Sequence, residues 1–88
     1  MERVIEYSLE TKEDIDYFRK SGQNGILKKI RQLIEAIKEE PFKGIGKPEP
    51  LKHQLSGCWS RRINQEHRLV YEVFDSKIII LSAKGHYL

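Results

Sequence analysis

The apolar period of this chain changes once, and that change limits the folds open to it. Ile26, Ile30, Leu33, Ile34 and Ile37 recur at helical spacing and define one face of a helix expected over residues 26–39. Pro41 closes that region. Downstream the pattern turns strand-like. Three β-prone runs, 58–63, 67–74 and 77–83, are separated by short turns at Asn64-Gln65 and Asp75-Ser76, which reads as an antiparallel meander. Upstream, Val4-Ile5-Glu6-Tyr7 is expected to form a first strand. Ser8 or Thr11 is expected to cap a helix with Glu13, Asp14 and Asp16 in its early turns and Ile15 and Phe18 as its buried stripe. Residues 21–25 break that helix. The economical solution is an α+β fold, with two N-terminal helices packed on one face of an antiparallel-rich curved sheet. The other face is left for a ligand.

A chain of 88 residues suits one domain, spanning 1–88. No apolar run approaches the ~20 residues a membrane span needs, so no membrane partner is expected. Residues 1–6 lack the apolar core of a secretory signal, and the single Cys58 cannot form an internal disulfide. Both point to the cytoplasm. One cysteine and three scattered histidines form no recognised ligand spacing, so neither metal nor cofactor is expected. Charge is uneven. Residues 1–40 carry eight Lys/Arg against nine Asp/Glu, whereas residues 41–88 carry eight against four. The basic half holds all three histidines, which favours a polyanionic partner.

Within that half, Glu49 stands between Pro48 and Pro50, with Lys47 and Lys52 on either side. Proline disfavours helical backbone in the residue before it, so Glu49 and Lys47 are both expected to be extended, which makes Glu49 a carboxylate on a stiff segment. The Gly44-Ile45-Gly46 stretch before it reads as a flexible connection more readily than as a phosphate cradle. Strand alternation sorts the meander. Placing Trp59 opposite Tyr71 keeps the large apolar side chains together and sets Arg62 opposite Arg68 on the open face. Two neighbouring guanidinium groups repel unless an anion lies between them.

These parts suit RNA cleavage. The 2′-hydroxyl of RNA attacks the adjacent phosphorus once a base removes its proton. An acid then protonates the leaving 5′-oxygen, and cations hold the developing charge. Glu49 fits the base, His86 the acid and Arg68 the clamp. Lys52 and Arg62 add phosphate contacts, and Tyr87 can stack on a base or orient the scissile group. Plainer readings stand beside these. Glu49 pairs with Lys47 or Lys52 on the surface. Arg62 and Arg68 are solvated sheet residues. Trp59 and Tyr71 are core, His53 and His67 structural or exposed, and Cys58 a small buried hydrophobe. A basic RNA-binding module without catalysis is a further alternative.

Several stretches together resemble one family. They are Pro41-Phe42-Lys43-Gly44, Lys47-Pro48-Glu49-Pro50-Leu51-Lys52, Leu55-Ser56-Gly57-Cys58-Trp59-Ser60-Arg61-Arg62-Ile63, His67-Arg68-Leu69-Val70-Tyr71 and His86-Tyr87. The family is the YoeB toxins of the RelE/ParE superfamily. The resemblance implies a RelE-like, microbial-ribonuclease-like fold and a type II toxin that cuts mRNA at the ribosome. It also implies a homodimer and a YefM-like antitoxin. By position it makes Glu49 the base, His86 the acid and Arg68 the phosphate stabiliser, supported by Lys52, Arg62 and Tyr87. Cys58 stands where the family often has an aromatic, and Leu88 extends past its terminal tyrosine. Lys84 stands where arginine is expected, and it contributes charge to phosphate without the bidentate fork. A ParE-like toxin that inhibits gyrase by binding is the rival reading on the same scaffold.

Overall fold

The computed structural model describes residues 3–85. Along the chain come β1 (Val4–Tyr7), α1 (Leu9–Lys20), α2 (Asn24–Glu39), β2 (Glu49–Pro50), β3 (Cys58–Arg62), β4 (Arg68–Val73) and β5 (Lys77–Ser82). The five strands form one open sheet in the order β1-β5-β4-β3-β2. β1 runs parallel to β5, and every other pairing is antiparallel. The α+β arrangement expected from the changing period is the one observed. β2 and the parallel pairing of the expected first strand with β5 are additions to it.

Ser8 caps α1: its hydroxyl accepts the Thr11 N–H at 3.0 Å. Thr11 is buried and does a different job, donating its hydroxyl to the Ile80 carbonyl at 2.7 Å and so docking α1 on β5. Phe18 of α1 and Ile30, Leu33, Ile34 and Ile37 of α2 meet Leu69, Tyr71, Ile78 and Ile80 of the sheet in one core. Each such apolar side chain contributes roughly 1.5–3 kcal/mol by leaving water. Ile15 is only half-buried, so Phe18 anchors α1 more than the expected pair does. The register is the one that keeps apolar partners together, with Trp59 opposite Tyr71 and Arg62 opposite Arg68.

A bulge interrupts β4 and β5. Tyr71 pairs with Ile80 and Val70 with Ser82, which leaves Leu81 as the extra residue. The shift brings Ala83 into the core and pairs Ser82 with Val70 instead. The Ser82 hydroxyl is buried there with no hydrogen-bond partner. An unpaired buried hydroxyl costs about 1–3 kcal/mol. Ser82→Ala is therefore expected to stabilise the fold by about 1 kcal/mol. A urea midpoint that stays put or falls would refute this.

The segment between α2 and β2 is the main correction to the sequence reading. It is not a loose connection. Arg61, wholly buried on the helix side of β3, reaches into it with its full guanidinium. Nη1 donates to the Ile45 carbonyl at 3.0 Å, and Nη2 donates to those of Glu40 (2.7 Å) and Lys43 (2.8 Å). Nε donates to the Tyr71 hydroxyl at 3.1 Å, and that hydroxyl donates to the Pro41 carbonyl at 2.7 Å. Burial pushes the Tyr71 phenol up from its ordinary value against the opposing pull of Arg61, so it keeps the proton it donates. The charge of Arg61 is met by carbonyl dipoles, since no carboxylate pairs with it among the described residues. Gly46 is required at the close approach. At φ +83°, a Cβ there would sit 2.7 Å from Leu33 Cδ2 and 3.1 Å from Arg61 Cβ.

Lys47 corrects a second expectation. Its φ is +51°, left-handed rather than extended. The Gly46 carbonyl accepts the Arg62 N–H at 2.6 Å, which fixes the chain on β3 just before it must swing out to the sheet edge. That tertiary bond outweighs the local preference of the residue before a proline. Glu49 follows the expectation: it is extended and paired with Ser60.

Candidate active site

β2 places Glu49 at the rim of the sheet. Its partner across the ladder is Ser60, and Ser60 in turn pairs with Val70 of β4. Alternation sets Ser60, Arg62, Arg68 and Val70 on the face away from the helices. The Leu51 N–H donates to the Cys58 carbonyl at 2.9 Å, and the chain then curls through a 3₁₀ turn at His53–Leu55. His53 opens that turn at φ +60°, the second left-handed non-glycine residue beside Lys47 among the described residues. Both lie within four positions of Glu49, a clustering of backbone strain that is common at functional sites.

The result is a hollow of about 350 Å³ lined by Glu49, Pro50, Leu51, Lys52, His53, Ser60 and Arg68. Glu49, Lys52 and His53 are exposed and Arg68 is half-buried. Neither Lys47 nor Lys52 forms an ion pair with Glu49, so the surface-pair alternative for this acid is not what the fold adopts. One carboxylate thus faces an ammonium and a guanidinium across a space that admits a phosphate. Such a wall attracts anions, and the carboxylate supplies a proton acceptor beside them.

The remaining expected residues are distributed otherwise. Arg62 is directly opposite Arg68 in the ladder, yet it lines the adjoining hollow with Lys29, Gly46, Lys47 and Asn64. Lys84 sets its ammonium 4.3 Å from the centre of the Tyr17 ring on α1, and it is not part of the Glu49 hollow. His86 and Tyr87 lie outside the described residues.

Two residues, Ser60 and His53, carry more than their sequence suggests. Ser60 is wholly buried in the floor of the hollow, its hydroxyl without a partner. Its alternation with Arg62 was the one available signal. His53 lines the hollow, a placement no sequence pattern signals. Of the two readings for His67 the structural one holds: its Nδ1 accepts the Gly85 N–H at 3.1 Å and its ring meets Phe18 edge-on at 5.0 Å. Cys58 is buried as expected, and its thiol is pushed up from the ordinary value by that burial and then by Glu72, which keeps it protonated and unreactive.

A small open sheet under two helices recurs among known proteins. Residues 7–87 match the family described as the YoeB-like toxin of bacterial type II toxin–antitoxin systems. Toxin YoeB of Escherichia coli strain K12 is 49% identical over 81 residues, covering 92% of this chain and 95% of that one. A solved YoeB/ParE toxin from Agrobacterium tumefaciens superposes with a TM-score of 0.91 at 37% identity, over 96% of this chain and 99% of its own. The YoeB dimer from Staphylococcus aureus gives 0.88 at 46% identity, over 97% and 98%. The YoeB–YefM complex of the same organism gives 0.85 at 46% identity, with the same coverage. The chain belongs to the YoeB-like toxins of type II toxin–antitoxin systems. Among the described residues no helix is long and apolar enough to cross a membrane.

Proposed function

We propose that this toxin is a ribosome-dependent endoribonuclease that cuts mRNA in the decoding site and so stops translation. The observation that carries the reading is the sharing of one hollow by Glu49, Lys52 and Arg68, with no ion pair made by Glu49 among the described residues. Glu49 takes the proton of the 2′-hydroxyl. The 2′-oxygen attacks phosphorus, the bond to the 5′-oxygen breaks, and His86 gives that oxygen its proton. Arg68 holds the equatorial oxygens as charge gathers on them, with Lys52 supporting. The products are a 2′,3′-cyclic phosphate and a free 5′-hydroxyl, and no metal is required by this route. Tyr87 stacks on or orients the scissile nucleotide. Arg62, in the adjoining hollow, serves a flanking phosphate, and Lys84 adds a general attraction for the message.

The toxin acts in the cytoplasm as a single domain over residues 1–88. It pairs with a second copy of itself and is neutralised by a YefM-like antitoxin, as the two Staphylococcus aureus assemblies suggest. Toeprinting on programmed ribosomes tests the activity. Wild-type protein is expected to cleave in the decoding site, and Glu49→Gln and His86→Gln are expected not to. Cleavage surviving in both variants overturns the assignment of roles. Absence of cleavage by the wild-type chain overturns the nuclease reading and leaves gyrase binding as the rival to test.

A further inference from the structure

A second hollow, of about 390 Å³, opens where α2, the segment after it and β3 converge. Lys29 of α2, Lys47 and Arg62 of β3 line it with Gly46, Asn64 and Gln65, and no carboxylate of the described residues does. Three cations thus come from three separate stretches of chain. None of them makes an ion pair among the described residues. The ion pairs that the fold does make there draw on Glu6, Asp16 and Glu35, carboxylates of β1 and the two helices. They leave this hollow positive. Asn64 adds neutral donors. Its Oδ1 accepts the N–H groups of Glu66 at 2.9 Å and His67 at 2.8 Å, and its amide N–H groups make no hydrogen bond among the described residues.

Like charges gathered at one place repel, and cations placed only for solubility are better spread apart. Here the backbone is bent to gather them. Lys47 takes a left-handed φ of +51° although it has a Cβ and stands before a proline. Gly46, at φ +83°, brings the chain against Leu33 of α2, and its carbonyl accepts the Arg62 N–H. That bend sets Lys47 beside Lys29 and Arg62. Backbone strain of this kind persists where its surroundings over-determine it, as in ligand clamps. Two links then fix the hollow relative to the one that holds Glu49. Arg62 stands directly opposite Arg68, and the Cα atoms of such a pair are about 4.5–5.5 Å apart. Lys47 is joined to Glu49 through Pro48 alone, a stiff connection. A nucleic-acid strand carries a charge at every residue, so a chain held at Arg68 presents its next phosphate to the neighbouring rung.

We propose that Lys29, Lys47 and Arg62 form a second phosphate site, which takes the message phosphate next to the scissile one. Arg62, given a flanking phosphate above, is one wall of it, and Lys29 and Lys47 complete it. The inference rests on the nuclease reading and extends it from one phosphate to a footprint of two, reached from α2 as well as from the sheet. Two ammonium groups and a guanidinium suit the charge and the free oxygens of a phosphodiester. The site touches no reacting atom. It places the message and leaves the proton transfers to the Glu49 hollow.

The test replaces single linkages of the message, on either side of the scissile one, with uncharged methylphosphonate. Single-turnover cleavage on ribosomes is measured at subsaturating toxin. For the wild-type chain one of these replacements is expected to cost about tenfold. The variant with both Lys29→Gln and Lys47→Gln, which keeps the apolar stems, is expected to lose about tenfold on the ordinary message. Neutralising the same linkage is then expected to cost it less than about twofold more, because charge and partner act as one pair. The variant with Lys29→Arg and Lys47→Arg is expected to behave as wild type. Lys47→Gln alone, at an exposed position, carries the comparison if the double variant melts below the assay temperature. A neutral linkage that costs wild type and variant equally overturns the site, as it would if the lysines met ribosomal RNA instead. No loss in either overturns it too. A wild-type chain that cuts no message ends the nuclease reading, and the anion site is then judged by binding to single-stranded oligodeoxythymidylate. The slope of log affinity against log salt is expected to be shallower by about 0.7 in the double glutamine variant, and an unchanged slope overturns the site.

Discussion

Arg61→Ala is expected to be unfolded at 37 °C. The truncation strips donors from three carbonyls, those of Glu40, Lys43 and Ile45, and from the Tyr71 hydroxyl. The Tyr71 hydroxyl loses a buried donor at about 1–3 kcal/mol, the three part-buried carbonyls lose theirs at a smaller cost, and removal of a large buried side chain adds about 2–5 kcal/mol for the cavity. A domain of this size has only about 4–13 kcal/mol to lose. Arg61→Lys retains the charge but has one ammonium where a planar fork served several carbonyls, so it is expected to fold with a melting temperature lower by more than about 10 °C. Circular dichroism melts check both. A cooperative transition of Arg61→Ala within about 5 °C of wild type would show that the loop from 40 to 46 is held by something else.

Arg68→Ala is expected to lower the single-turnover cleavage rate on ribosomes by about 10²–10³-fold. On the proposed mechanism the guanidinium meets the charge gathered around phosphorus, so its contribution would be greatest in the transition state and small in the bound ground state. Binding to ribosomes, measured by co-sedimentation, is expected to weaken by less than about tenfold, because many contacts share that task. An unchanged chemical step with weakened binding would make Arg68 a docking residue instead. The variant leaves the bond from the Arg68 backbone N–H to Gly85 in place.

Much of the architecture could be read from side-chain periods. The stripe on α2, the strand at Val4–Tyr7 and the pairing of Arg62 with Arg68 follow from matching apolar faces, because a one-residue slip would bury the wrong set. β2 could not be read in this way, since two residues are too few to display an alternation. Arg61 was the harder omission. Its position in phase with Trp59 and Ile63 marked it as facing the core, yet the carbonyls that satisfy it come from residues 16 to 21 positions earlier in the chain. No local pattern records such a meeting. The bulge at Val70/Tyr71 escaped for a like reason, and with it the shift that brings Ala83 into the core. At the site, the prolines around Glu49 gave its extended backbone correctly, and alternation gave the face of Arg68. The place of Lys84 over the Tyr17 ring could not be read, because no sequence pattern relates it to a ring on a distant helix.

The outermost rung of the sheet is two residues long, and one of them is Pro50. A border of this kind offers a stray strand almost no amides to zip onto, which guards the molecule against sticking edge to edge with its own copies. It has a second effect on traffic. Because the acid lines a hollow at the border of the sheet, the broad polymer proposed as its substrate would be brought alongside it laterally.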